Sequence, residues 1–164
     1  MKNLFKSIVC LAIILTFVSQ AVWVEAGSQK VSTKPTEGIQ SSNENYGTST
    51  NSGSISKASV TVLLSSWSCS ITNTGTNLYL DCNSTATSII SSLNTTLYLQ
   101  RWTGTAWVNV ISWSYSSTNC KSLTNGDFSS YTTGTYYRAR SVHYAINGTQ
   151  SENQSTVSSY IYIE

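Results

Sequence analysis

From Ala58 to the C-terminus, apolar and polar residues alternate in short runs, and clusters of Gly, Asn, Ser and Thr separate them. Alternation of period two puts successive side chains on opposite faces of an extended chain, the pattern of a half-buried strand. Residues 67–72 and 77–83 flank Asn73-Thr74-Gly75-Thr76, a hairpin signal. Residues 96–102 and 106–115 flank Thr103-Gly104-Thr105 in the same way. Residues 135–146 give the longest strand signal, Asn147-Gly148 turns the chain, and residues 156–163 close it. Residues 59–64 make a short first candidate, and 88–93 read as a turn of helix. Residues 116–131 are polar and read as loops around a short strand. About seven short strands with little helical periodicity predict an all-β fold, an antiparallel β-sandwich.

The first 57 residues follow other rules. Lys2 and Lys6 precede an apolar run over residues 8–18, and Val24-Glu25-Ala26 ends in a small residue. This is the pattern of a secretory signal peptide over residues 1–26. The run is shorter than the roughly 20 residues of a comfortable membrane span. The expected location is therefore extracellular, with no membrane insertion once the signal is removed. Residues 27–57 are rich in Ser, Thr, Gly and Asn and hold the only proline, Pro35. So few apolar groups are expected to leave a disordered linker, read either as a flexible tether or as a pro-segment removed later. Residues 58–164 are the expected sandwich domain.

The seven basic and six acidic residues after Ala26 leave a net charge of +1. No basic patch offers itself to a phosphate backbone, so no nucleic-acid partner is expected. Charged residues make up 10% of the chain, and hydroxyls take their place in keeping the surface wet. Cys69, Cys82 and Cys120 are the cysteines of the exported part. A two-residue loop at Gly75-Thr76 pairs Thr74 with Asn77 and, counting back, Cys69 with Cys82. Directly opposed cysteines lie near disulfide distance, so Cys69–Cys82 is the candidate bridge and Cys120 is left over.

Two stretches carry a resemblance. Residues 97–110, LYLQRWTGTAWVNV, and residues 134–140, GTYYRAR, resemble strands of bacterial immunoglobulin-like or fibronectin-like modules. The chain is also similar to small secreted proteins of Gram-positive bacteria grouped only as a domain of unknown function. The resemblance implies an immunoglobulin-like sandwich more than an activity. Strand parity adds a constraint of its own. Burying Arg138 and Arg140 unpaired would be costly. The favoured face inward is therefore Tyr137, Ala139, Ser141, His143 and Ala145, with Tyr136, Arg138 and Arg140 outward.

The site chemistry narrows the function classes. His143 is the only histidine. The chain has no nucleophile elbow, no phosphate loop and no zinc spacing, so no catalytic residue, metal or cofactor is expected. The unusual asset is aromatic: Trp102, Trp107 and Trp113 with Tyr98, Tyr115, Tyr136 and Tyr144 fall on strand segments. Trp107 and Trp113 are expected on one shared face. Trp102, Trp107, Tyr136, Arg138 and Arg140 form the candidate binding set, fit for stacking on sugar rings. The expected function is a secreted, non-catalytic, monomeric module that binds a cell-surface glycan or protein. A secreted effector, bacteriocin-like or membrane-active, is the alternative, and a hydrolase the third reading.

Overall fold

The computed structural model describes residues 32–49 and 63–164. The expected leader, tether residues 27–31 and 50–57, and most of the first candidate strand lie outside them. Seven strands follow in chain order: β1 Tyr46–Thr48, β2 Leu64–Asn73, β3 Leu78–Trp102, β4 Trp107–Ser129, β5 Thr135–Asn147, β6 Gln150–Val157 and β7 Ile161–Ile163. Their pairings are all antiparallel and belong to one sheet. The fold is the expected all-β antiparallel sandwich, made by a single sheet doubled over.

The doubling comes from β3. Its first half pairs with β2 on one side and the end of β4 on the other. Its second half pairs with β5 and with the start of β4. In the first half Leu78, Leu80, Cys82, Ser84 and Ala86 are buried, all at even positions. In the second half Leu93, Thr95, Leu97 and Leu99 are buried, all at odd positions. Ile90 is still buried at an even position, so the change of parity falls between Ile90 and Leu93, just past the point where pairing with β4 breaks register between Thr85 and Ile90. An irregular ladder there bends the strand and re-aims its side chains. Leu78 and Leu80 thereby meet Leu97 and Leu99 in one buried cluster, with Ile71, Tyr137, Ala139, Ile161 and Ile163. A second cluster, with Leu64, Ile90, Leu93, Leu123 and Ala145, fills the space at the bend.

Three expectations change. Residues 88–93 lie within β3 rather than in a helical turn. Residues 116–131 are mostly strand, because β4 continues to Ser129. Its serines and threonines satisfy strand geometry while meeting water, which hides the apolar alternation that marks a half-buried strand. Residues 32–49 of the expected disordered linker are ordered. Backbone bonds rather than apolar burial hold them: Ser32 N–H donates to Gly134 O, Ser41 N–H to Tyr160 O, and Tyr160 N–H to Ile39 O. Pro35 is buried in this strap.

The same contacts close the sandwich on its open side. β1 pairs with β2. Between β6 and β7, Ser158 N–H donates to Ala139 O and Ser159 N–H to Thr48 O, both at 2.9 Å. Residues 158–160 thus tie β5 to β1 and turn the doubled sheet into a near-barrel. Gly47 makes the approach possible, because a Cβ there would collide with the Ser159 carbonyl oxygen. Gly47→Ala is expected to lower stability by about 1–3 kcal/mol through overpacking. Thermal unfolding followed by circular dichroism measures this, with Thr48→Ala at the exposed neighbouring position as the near-neutral control.

A polar chain crosses the core. The inward face of β5 is the one parity favoured, with Tyr137, Ala139, Ser141, His143 and Ala145 all buried. His143 is 0% exposed. Its Nδ1 lies 2.6 Å from Ser84 Oγ and its Nε2 lies 2.6 Å from Ser141 Oγ. Ser84 Oγ in turn lies 2.7 Å from Thr95 Oγ1, joining the two halves of β3. A neutral imidazole has one donor and one acceptor, which two hydroxyls satisfy. Burial pushes the His143 pKa down to about 4. In the unfolded chain it returns to about 6.5. The native state therefore binds fewer protons than the unfolded one between those values, and stability is fully present above about pH 6.5 and falls towards pH 4. The loss attributable to His143 is on the order of 3 kcal/mol. Urea titrations across that pH range should show it, and His143→Gln should flatten this part of the profile.

Candidate binding face

The outward face of the second layer collects the candidate residues. Register places Tyr98 opposite Arg140 and Gln100 opposite Arg138, between β3 and β5. It places Trp102 opposite Trp107 at the start of β4. β7 brings Tyr162 beside Tyr136. The five residues singled out by sequence therefore lie on the same side of the second layer, with Trp107, Tyr136, Arg138 and Arg140 reaching its surface. Trp102 and Trp107 have ring centroids 5.4 Å apart, and Trp107 and Tyr160 5.8 Å. Tyr136 packs edge-on to Tyr160 at 5.6 Å and tilted against Tyr162 at 4.8 Å. The Arg140 guanidinium lies 5.4 Å from the Tyr98 ring centroid.

Arg138 is the centre of this surface. Its guanidinium carbon sits 4.2 Å from the Trp107 ring centroid, a cation–π contact. Its Nε–H donates to Gln100 Oε1 at 2.8 Å, and Gln100 Nε2 donates to Asn109 Oδ1 at 2.9 Å. Two side chains thus fix the plane of the guanidinium. Burial brings its pKa down to about 10, with the Glu37 carboxylate opposing the shift and Arg140 adding to it. It remains a cation at neutral pH. Among the described residues it forms no ion pair.

The strap forms one wall beside it. Trp107 Nε1–H donates to Glu37 O at 3.1 Å, and Thr33 Oγ1–H donates to Gly104 O at 3.0 Å. Gly38 has φ of 92°, a left-handed conformation that favours glycine. A Cβ on Gly38 would lie 3.2 Å from Arg138 Nη1, so the strap runs close to the guanidinium. Strap, β1 and the β6–β7 junction enclose a cleft of about 750 Å³ with Arg138 in its wall. Ser41, Thr48 and Ser159 supply hydroxyls, and the exposed Ile39, Tyr46 and Val157 supply apolar surface.

Two expectations about the aromatics are corrected. Trp102 faces outward from its own sheet, yet it is only 2% exposed and cannot stack on a ligand. Trp107 and the strap lie over that end of the sheet. Trp102 Nε1 is buried with no hydrogen-bond partner among the described residues. Trp107 and Trp113 do not share a face. The β4 ladder breaks register where Leu99 opposes Ile111 and Gln100 opposes Asn109, leaving Val110 as the extra residue. Trp113 consequently packs against the core with Leu97.

The candidate disulfide is also corrected. Cys69 and Cys82 are directly opposite, as the hairpin register predicts. Cys69 O accepts from Ser49 N–H at 2.9 Å and Cys69 N–H donates to Ser49 Oγ at 3.1 Å, so both its backbone groups point away from β3 and its pair with Cys82 is of the close, non-hydrogen-bonded kind. The sulfurs nonetheless diverge: Cys69 Sγ turns towards Thr156 O at 3.8 Å and Cys82 Sγ towards Asn125 O at 3.5 Å. Both are free thiols, as is Cys120. Burial pushes Cys69 up to about 11 and Cys82 up to about 12, so their reactive thiolates are suppressed. Alkylation under native conditions is expected to label half-exposed Cys120 first. Unfolding in denaturant without reductant should then release two further thiols, which intact mass reads directly.

His143 meets serines and a threonine and no carboxylate, sealed from the surface. Among the described residues no cluster of His, Cys, Asp and Glu could hold a metal ion. Sequence reasoning missed Gln100, Tyr160, Tyr162 and the strap at Glu37-Gly38. Parity alone placed Gln100 outward beside Tyr98; its role needed the β3–β5 register. Comparison with protein-family models, curated proteins and solved structures found no match.

Proposed function

We propose that this is a secreted, non-catalytic β-sandwich that binds a cell-surface glycan or protein through the outer face of β3, β4, β5 and β7. The immunoglobulin-like kinship is part of the same reading. One observation carries it: a guanidinium clamped between Gln100 and Trp107, half-buried beside tyrosines, that forms no ion pair among the described residues. Orienting a cation so closely is costly unless something is recognised, and aromatic and arginine side chains are the residues that anchor interfaces. The hydrophobic leader supports the secreted part.

Protein lacking residues 1–26 is expected to bind isolated cell envelopes or a glycan array. Tyr136→Ala with Arg140→Ala should weaken that binding at least about tenfold. Unchanged binding in the double variant, or no binding to any envelope, glycan or surface protein, would overturn the reading. The effector alternative is favoured by the exposed Val108, Val110, Ile111 and Phe128 along β4. Dye release from lipid vesicles separates it from the first.

A further inference from the structure

The geometry points to the Arg138 cleft as a recognition site for a carboxylate carried on a hydroxyl-rich ring, that is, an acidic sugar of the uronic acid class. The inference rests on the binding-module reading and names its ligand chemistry. Arg138 spends its Nε–H on Gln100 and its face on Trp107. No described residue takes its terminal nitrogens in a hydrogen bond or ion pair. These are the paired donors that match a carboxylate in a fork, and a guanidinium already held in plane loses little freedom on binding. Outside the described part, residues 27–31 and 50–62 contain no acid to serve as its partner.

The cleft around the guanidinium supplies the second half of the argument. Its volume of about 750 Å³ is within the range of small-ligand sites. Ser41, Thr48 and Ser159 present hydroxyls to it, and Tyr46 adds an aromatic ring at the rim. Ser41 Oγ–H already donates to Tyr46 O and its oxygen accepts from Asn43 N–H at 3.1 Å, while Ser159 Oγ accepts from Thr48 N–H at 3.2 Å. The lone pair left on Ser41 Oγ suits a ligand hydroxyl donor, and the Ser159 hydroxyl proton suits a ligand acceptor. A sugar offers both. Glu37 lines the same cleft and its charge reaches Arg138 without forming an ion pair. It acts as a built-in competitor that an incoming carboxylate must outmatch.

Glucuronic acid and its short oligomers are the probes, with glucose and its oligomers as the uncharged comparison and a tripeptide with a free C-terminus as the other carboxylate source. Calorimetric titration of the protein lacking residues 1–26 is expected to show glucuronate oligomers binding at least about tenfold tighter than glucose oligomers. Arg138→Gln should abolish that preference, Arg138→Lys should restore only part of it, and Glu37→Gln should tighten glucuronate binding several-fold. Thermal melts of each variant check that the fold is retained. Equal affinity for charged and uncharged sugars, a preference that survives Arg138→Gln, or tighter binding of the tripeptide would each overturn the inference. Glucose oligomers bound through Tyr136 and Arg140 with no charge preference would sink it while leaving the binding-module reading intact. No binding by any probe overturns the acidic-sugar assignment, and the envelope assay then decides the module reading separately.

Discussion

Everything in this molecule depends on one strand changing which of its faces is apolar. β3 is long enough to form two layers, and the switch from even to odd buried positions between Ile90 and Leu93, beside the irregular pairing at Thr85–Ile90, obliges it to do so. Without the switch, its second half would turn Leu97 and Leu99 to water and Tyr98 and Gln100 to the core. With it, the same strand supplies both walls of the sandwich, and the partners of each half are sorted: β2 to one, β5 to the other. The polar chain from Ser84 through His143 to Ser141 crosses this interior fully satisfied, which is the condition for keeping polar groups in a core.

The binding surface follows from the same parity. Once Tyr137 and Ala139 go inward, Arg138 and Arg140 must go outward, and the β3–β5 register sets Gln100 and Tyr98 against them. Trp107 joins because the irregularity at Val110 gives the two ends of β4 different orientations, sending Trp113 inward and leaving Trp107 outside. The surface is thus built on the rigid part of the fold, where side chains are held by packing on both flanks.

How much of this was legible from the sequence divides along a physical line. Local signals were sound. The Gly75-Thr76 hairpin gave the Cys69–Cys82 register, and the alternation of 135–146 gave the correct inward face of β5. Signals that depend on non-local pairing were not. Val110 looks like any strand residue, and only its register against β3 reveals an extra position and flips Trp113. Ser and Thr along 116–129 satisfy a strand without showing a period. The strap has almost no apolar residues, and its order comes from backbone bonds to partners about a hundred residues distant, to which composition is blind. Opposed cysteines said where the sulfurs could meet, while the choice of rotamer was made by neighbouring carbonyls.

The strap's mode of attachment has a consequence for motion. It is held by a few backbone hydrogen bonds and the Trp107 indole, and by little buried apolar area. Segments of that kind open at a small fraction of the free energy needed to unfold a core, on their own and without the layers beneath. One wall of the Arg138 cleft therefore belongs to the least protected part of the molecule, while its floor belongs to the most protected. Amide exchange would divide the two sharply across a few ångströms. Lifting that wall would cost only those few bonds, and the sandwich beneath would stay closed.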